Sequence, residues 1–291
     1  MPESIGIIGA GKVGSILALL LKETGYTISF IVSSSEEKRK VLSEATGALT
    51  FSQIVKDLPR ADIILITTPD GVVADMAKKL VENHCLSPGT IVAHTSGSLS
   101  SQELHEVKSK DAFIASIHPL KSFTGNKVPG DFLNGVYFAL EGDEESLQPL
   151  KELAISLGGK PFTIKTEQKI FYHAAAVVAC NYLVSLNHYA VYLLNEAGVS
   201  EKEALNLLEP LIIGTLKNIL TYGPVDSLTG PVERCDIKTL QSHLQEIEKL
   251  GSLEKSFYSI LGLYTAKVAA EKNTDLRESY IKVKKLFEEA L

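Results

Sequence analysis

The sequence predicts an α/β protein: a Rossmann-type parallel sheet with helices on both faces, followed by an all-α domain. Three observations carry this. Short apolar runs rich in β-branched residues alternate with helical patterns up to about residue 165. The first run leads straight into Gly9-Ala10-Gly11-Lys12-Val13-Gly14, a glycine turn that opens a helix. After about Thr166 the strand pattern stops and every segment reads as helix. A chain of 291 residues is also long for one domain, so a boundary is expected there, giving parts 1–165 and 166–291.

The elements follow in order. Residues 5–8 form a buried strand, 12–23 an apolar helix, and 27–32 a second strand. Ser34-Ser35-Glu36-Glu37 has capping-box spacing for a helix to about residue 45. A third strand at 63–67 is stopped by Pro69, with Asp70 placed to cap a helix through Leu80. Residues 90–94 are strand, Ser100-Ser101-Gln102-Glu103 offers another capping box, and 112–117 is strand again. Strands at 136–140 and 161–164 flank a helix at about 144–157.

Composition narrows the classes of function. The chain is 45% hydrophobic and 22% charged, as in ordinary globular proteins. Its net charge of −6 divides evenly: residues 1–165 carry 16 basic and 19 acidic side chains, and residues 166–291 carry 13 and 16. Neither part offers the concentrated positive face that nucleic acid requires, so no nucleic-acid partner is expected. Cys85, Cys180 and Cys235 are odd in number and far apart, which fits neither a disulfide framework nor a metal site, so no metal is expected. Glu3 is acidic where a signal would carry a basic leader, Lys12 interrupts the apolar run, and a cytoplasmic protein is expected.

One stretch stands apart. The 26 residues between Lys169 and Glu196 contain no Asp, Glu, Lys or Arg. A helix without charge on any face is expected to be surrounded by protein. A membrane span is disfavoured by Asn181, Ser185, Asn187, His188 and Asn195, which are costly in hydrocarbon. Asn181, Ser185, His188, Tyr192 and Asn195 share one helical face. That face is either a polar seam between helices or subunits, or the lining of a cleft.

The glycine turn carries the first chemistry. Gly9 permits the tight turn, Gly11 lets backbone approach a pyrophosphate, and Gly14 lets helix and strand pack closely. Ala10, Lys12 and Val13 complete the turn and present N–H groups at the helix start. An NAD site usually has an acid at the end of the second strand. Here Ser33, Ser34 and Ser35 stand there with Arg39 close behind, which favours NADP over NAD. Thr67-Thr68-Pro69 and Ser96 end two further strands and are expected to border the cofactor.

Candidates for handling substrate are more scattered. His118 and Lys121 follow a strand end, where an imidazole and an ammonium suit an anionic substrate or a proton transfer. In the helical part stand Tyr172-His173, Lys217, and Arg234 in Gly230-Pro231-Val232-Glu233-Arg234-Cys235-Asp236, with Asp236 placed to cap a helix. Arg234 can fork onto a carboxylate or simply pair with Glu233 or Asp236. His173 is the expected proton donor or acceptor, with Asn181 orienting a substrate oxygen.

Together, the glycine turn, I-T-T-P-D at 66–70, H-T-S-G at 94–97, H-P-L-K-S-F at 118–123, Y-H-A-A-A-V-x-A-x-N-Y-L at 172–183 and L-T-G-P-V-E-R-x-D at 228–236 resemble a known family. It comprises uncharacterised oxidoreductases with a Rossmann-like domain and a helical domain similar to the 6-phosphogluconate dehydrogenase C-terminal domain. The chain is more distantly similar to pyrroline-5-carboxylate reductase, ketopantoate reductase and prephenate dehydrogenase. The resemblance implies NADP at the glycine loop, a two-domain cleft for a small-molecule substrate, and helical domains paired in a homodimer. The chain departs from the pattern at Cys180, where serine is usual, and at Cys235, where glycine is usual. The better-known dehydrogenases carry a catalytic lysine on the first long helix of the second domain. Here that helix offers no lysine beyond Lys169. The expectation is hydride transfer between NADP(H) and a small, anionic ketone, imine or alcohol. The competing class is a module that holds NADP without turning anything over.

Overall fold

The computed structural model describes residues 4–56, 58–123 and 130–291. The chain divides into two compact units, residues 1–186 and 187–291. The first holds one eight-stranded sheet in the order β3-β2-β1-β4-β5-β6-β7-β8. Its strands are β1 (Ser4–Ile8), β2 (Thr27–Val32), β3 (Leu49–Phe51), β4 (Ile63–Ile66), β5 (Ile91–His94), β6 (Phe113–Pro119), β7 (Tyr137–Gly142) and β8 (Lys160–Thr163). All neighbours run parallel except β6 and β7. The order reverses between β1 and β4, and at such a switch point a crevice opens beyond the strands' carboxyl ends.

The central strands are buried on both faces, which explains their nearly continuous apolar sequence. Alternate residues serve opposite cores. Ile5, Ile7, Ile63 and Leu65 pack with Leu17 and Leu21 of α1 (Lys12–Glu23) and Leu150 and Leu153 of α4 (Glu144–Ser156). Ile8, Ile64 and Ile66 pack with Val73, Ala77 and Leu80 of α3 (Val73–Glu82). Between these, α2 (Glu36–Thr46) buries Leu42 in the first core.

Several local expectations need correction. Residues Leu49–Phe51 form an edge strand that was not foreseen, three residues being too few to show a period. Ser35 does cap α2, accepting from the Lys38 N–H, but Glu37 completes no box. Asp70 caps nothing: it lies in a 3-10 turn, and its carboxylate accepts hydrogen bonds from Ser96 and Ser98. The second expected capping box is absent too, because residues Ser101–Lys110 wind as 3-10 turns. There the Ser101 hydroxyl donates to Glu141.

After β8 come α5 (Lys169–Val177), a π-helical turn (Val178–Tyr182) and α6 (Leu183–Glu196). The extra residue of the π turn interrupts the regular repeat that would align Asn181 with Ser185, His188, Tyr192 and Asn195. The charge-free stretch is not surrounded by its own chain: Phe171 is 77% exposed and Val184 68%. An absence of charge reports only that water is to be avoided, not which molecule excludes it.

In the second unit, α7 (Glu201–Asp226), α8 (Ile237–Glu248), α9 (Ser252–Lys272) and α10 (Arg277–Ala290) follow in order. Ser200 and Glu203 make a full capping box at the start of α7, and Asp236 caps α8 by accepting from the Thr239 N–H. Leu240, Leu244, Ala266, Ala269, Val283 and Phe287 form this unit's core.

Candidate active site

Two cavities lie at the carboxyl edge of the sheet. The first, of about 420 Å³, is lined by Gly9, Ala10 and Gly11 after β1, by Ser33, Ser34 and Ser35 after β2, and by Thr67, Thr68 and Pro69 after β4. Gly14 brings α1 against the turn: a Cβ there would collide with the Gly9 carbonyl oxygen and Thr67 Oγ1. Those two atoms are themselves joined, Thr67 Oγ1 donating to Gly9 O at 2.6 Å. Gly11 differs. A Cβ on it would meet nothing nearer than the Thr67 carbonyl oxygen at 3.9 Å, so protein packing does not require glycine there. It caps α1 without a side-chain bond, and no acid stands in the first turn of the helix. The free N–H groups and positive dipole end of α1 are left for an anion. The buried hydroxyl of Thr68 has no hydrogen-bond partner among the described residues. A phosphate-bearing dinucleotide fits this cradle on each count.

The rim beyond β2 holds one surprise. Lys38 lines the cavity, whereas Arg39 turns its Nη1 back to donate to the Ser33 carbonyl at 2.6 Å. Arg39 thus braces the serine loop. Lys12, Val13 and Gly14 lie behind the lining, in the first turn of α1. Ser96 is tied to Asp70 at 2.9 Å and does not line this cavity.

The second cavity, of about 620 Å³, brings together four of the expected residues: His118, Lys121, His173 and Asn181. Tyr172 joins them, its hydroxyl 2.8 Å from His118 Nδ1 in a shared hydrogen bond. The His118 and His173 rings meet edge to face with centroids 6.1 Å apart. Gly97, just past β5, makes this possible, since a Cβ there would lie 2.5 Å from His173 Nδ1 and 2.9 Å from His118 Nε2. His173 Nδ1 is buried and without a hydrogen-bond partner among the described residues. Ala175, Ala176 and Ala179 supply the small apolar part of the wall, and Cys180 lies beside Asn181 on the π turn. Lys121 reaches over the Phe132 ring, 4.5 Å from its centroid. Burial, followed by the ammonium of Lys169 and the His173 ring, pushes His118 down to about 4. Burial likewise pushes the Tyr172 phenol up to about 12.

Lys217 and Arg234 belong to the second unit, and both are exposed on it. Glu233 pairs with Lys272 at 3.6 Å, the charge of Arg234 acts on Asp236, and Cys235 takes the left-handed φ of 54°. The usual glycine there would adopt this conformation without strain.

The sequence did not single out Glu141, Ser116 or the role of Lys169. The ammonium of Lys169 bonds to Ser116 Oγ and, at 3.2 Å, to Glu141 Oε1, with both charges fully buried. The available signals were slight: one acid in an apolar strand, and the last charge before an uncharged helix.

Residues 2–119 match the Rossmann-like domain family, and residues 136–265 match the domain of unknown function DUF2520. The two matches follow one another along the chain, the first over the sheet and the second beginning at its last strands. Among solved structures, BF3122 from Bacteroides fragilis, provisionally assigned as an NADP oxidoreductase, is 22% identical with a TM-score of 0.73, over 92% of this chain and 98% of that one. Protein TM1727 from Thermotoga maritima is 27% identical with a TM-score of 0.67, over 98% and 97%. Pyrroline carboxylate reductase from Plasmodium falciparum, solved with NADP bound, is 15% identical with a TM-score of 0.58, over 98% of each chain.

Proposed function

We propose that this protein is an NADP-dependent oxidoreductase acting on a small, anionic ketone, imine or alcohol. The observation that carries this reading is the His118–Tyr172–His173 cluster. It opens into a cavity on the same sheet edge as a cradle suited to a dinucleotide. Similarity to BF3122 and to a pyrroline carboxylate reductase with NADP bound supports the choice of cofactor. Bound in the cradle, the dinucleotide would supply or accept the hydride.

The chain's own groups would do the rest. Gly9, Ala10, Gly11 and the α1 N–H groups would hold the pyrophosphate, and Ser33, Ser34, Ser35 and Lys38 the 2′-phosphate. His173, whose buried Nδ1 lacks a partner among the described residues, would exchange the substrate proton, with the Asn181 amide orienting the oxygen or nitrogen that receives it. His118 and Lys121 would hold the substrate at the cavity. The apolar faces of α5–α6 and α7, where Leu220 is 86% exposed, support a homodimer in which a second copy excludes water. Residues 166–196 are long and apolar enough to cross a membrane, but their asparagines and histidine favour a protein partner over lipid.

The test is oxidation of NADPH against a panel of keto acids and cyclic imines, with His173→Ala and Asn181→Ala beside the native protein. Turnover that falls at least a hundredfold in both variants is expected. Unchanged turnover in both would remove the assignment. Sedimentation of the native protein and of Leu211→Glu/Leu220→Glu would test the dimer: the native chain should run as two copies and the variant as one.

A further inference from the structure

The sheet register places a polar row across three adjacent buried strands. His94 of β5 stands opposite Ser116 of β6, and Ser116 stands opposite Glu141 of β7, so all three project from one face of the sheet. His94, Ser116 and Glu141 are each almost wholly inaccessible to water. Lys169, 1% exposed, closes the row from the first turn of α5. The row is richly bonded. Glu141 accepts from the Ser101 N–H at 2.7 Å, the Ser101 hydroxyl at 2.8 Å, the Thr166 hydroxyl at 3.0 Å and Lys169 at 3.2 Å. His94 Nδ1 accepts from the Ser96 N–H, so its Nε2 carries the proton that the Ser100 carbonyl receives. A ring arranged in this way is neutral.

Lys169 does not reach either cavity. Ser116, on which its ammonium sits, is two residues before His118 on the same strand, and therefore on the same face. We infer that Lys169 is a positioning residue: its buried ammonium, seated on Ser116 and Glu141, keeps the His118 ring uncharged and able to accept the Tyr172 hydroxyl at Nδ1. A protonated His118 could only donate from Nδ1, which would reverse that bond and turn the phenolic proton away from the ring. A cation close by in a poorly solvated site opposes a second positive charge. The groups facing His118 are Tyr172, His173 and Lys169 from α5, Asp70 after β4, His94 of β5, Glu141 of β7, and Lys121 on its own segment. Of these, Asp70 and Glu141 are the carboxylates that favour a charged ring; Asp70 already accepts from Ser96 and Ser98, and Glu141 from Ser101 and Thr166 besides Lys169. The position of Lys169 also accounts for a lysine at the head of an uncharged helix that does no work inside the cavity.

The effect on the ring does not depend on the substrate; only its consequence for turnover rests on the proposed function. The experiment is a pH titration of the histidine ring signals by NMR in the native protein, Lys169→Gln, Lys169→Met/Glu141→Leu and Lys169→Arg, with His118→Gln used to assign the resonance. In the native protein His118 should stay neutral to below pH 5. In either neutral variant its midpoint should rise by about one pH unit, a tenfold change in proton affinity, while Lys169→Arg should restore the native value. His94 should move less in the double variant, because Lys169 and Glu141 act on it in opposite senses. The acid limb of NADPH oxidation, once a substrate is found, should move with His118. A native His118 that titrates at an ordinary 6.5 would overturn the inference. So would a folded neutral variant whose midpoint stays put, or Lys169→Arg shifting as far as the neutral variants. Loss of thermal stability alone, with an unmoved midpoint, would reduce Lys169 to a structural role.

Discussion

Alanine substitutions at Gly14 and Gly11 should have opposite consequences, although the two glycines are three residues apart in one turn. At Gly14 the added Cβ would overlap the Gly9 carbonyl oxygen and Thr67 Oγ1. Neither obstacle can retreat freely. Gly9 is backbone at φ 104°, and the Thr67 N–H donates to the Ile8 carbonyl at 2.8 Å at the end of the sheet. Overpacking of this kind costs about 1–3 kcal/mol. Losing the bond from Thr67 to Gly9 adds about 1 kcal/mol, and alanine's better helix propensity returns up to about 1 kcal/mol. The net loss of roughly 1–3 kcal/mol should lower the melting temperature by roughly 3–10 °C. At Gly11 the Cβ has open space, so stability should stay within about 0.5 kcal/mol. That methyl group would instead occupy the approach to the phosphates, and NADPH binding should weaken at least tenfold, about 1.4 kcal/mol. Thermal unfolding by circular dichroism and NADPH titration by fluorescence measure the two effects separately. If Gly11→Ala bound NADPH like the native protein while losing as much stability as Gly14→Ala, the cavity would not be a cofactor cradle.

Two further predictions concern charge. His94 and His118 are both held near 4 by burial and by Lys169, whereas in the unfolded chain each takes its proton near 6.5. Unfolding therefore takes up protons between about pH 6.5 and 4, and stability falls as the pH drops through that window. The wholly buried His94 alone should account for roughly 2–4 kcal/mol between those limits, read as a falling urea midpoint; a flat midpoint from pH 7 to 5 would contradict the neutral rings. At the cofactor rim, Ser33→Asp should shift preference from NADPH toward NADH by at least tenfold, about 1.4 kcal/mol, because a carboxylate there repels a 2′-phosphate and bonds a ribose hydroxyl. Fluorescence titration with both nucleotides would detect an unchanged ratio, which would place the 2′-phosphate elsewhere.

Much of the first unit was legible because its signals are local. The helix Lys12–Glu23 and the strand Thr27–Val32 stand where the pattern placed them, since burial on both faces writes a nearly continuous apolar run. The glycine turn was legible for the same reason: each glycine answers a constraint set within a few residues or by the strand alongside. The structure also gathers His118, Lys121, His173 and Asn181 around one cavity. The expected caps failed where a side chain had a distant partner. Asp70 turned to Ser96 and Ser98 in the loop after the neighbouring strand, and Ser100 met a 3-10 segment whose first residue, Ser101, is held by Glu141.

Seven of the eight strands, the dinucleotide turn and the side chains that could do chemistry were thus legible from the chain alone, because periodicity and turn geometry are properties of neighbouring residues. The three-residue edge strand Leu49–Phe51 was too short to show a period. Only the tertiary structure decided what Lys169, Glu141 and Tyr172 do. Their roles arise from the β5–β6–β7 register and from the seating of α5, which bring together residues between 22 and 54 positions apart. A single charge in an apolar segment has no partner that a sequence window can see. The partner is supplied by the strand that folds beside it, and in this protein that pairing seats a buried ammonium on Ser116, two residues before His118.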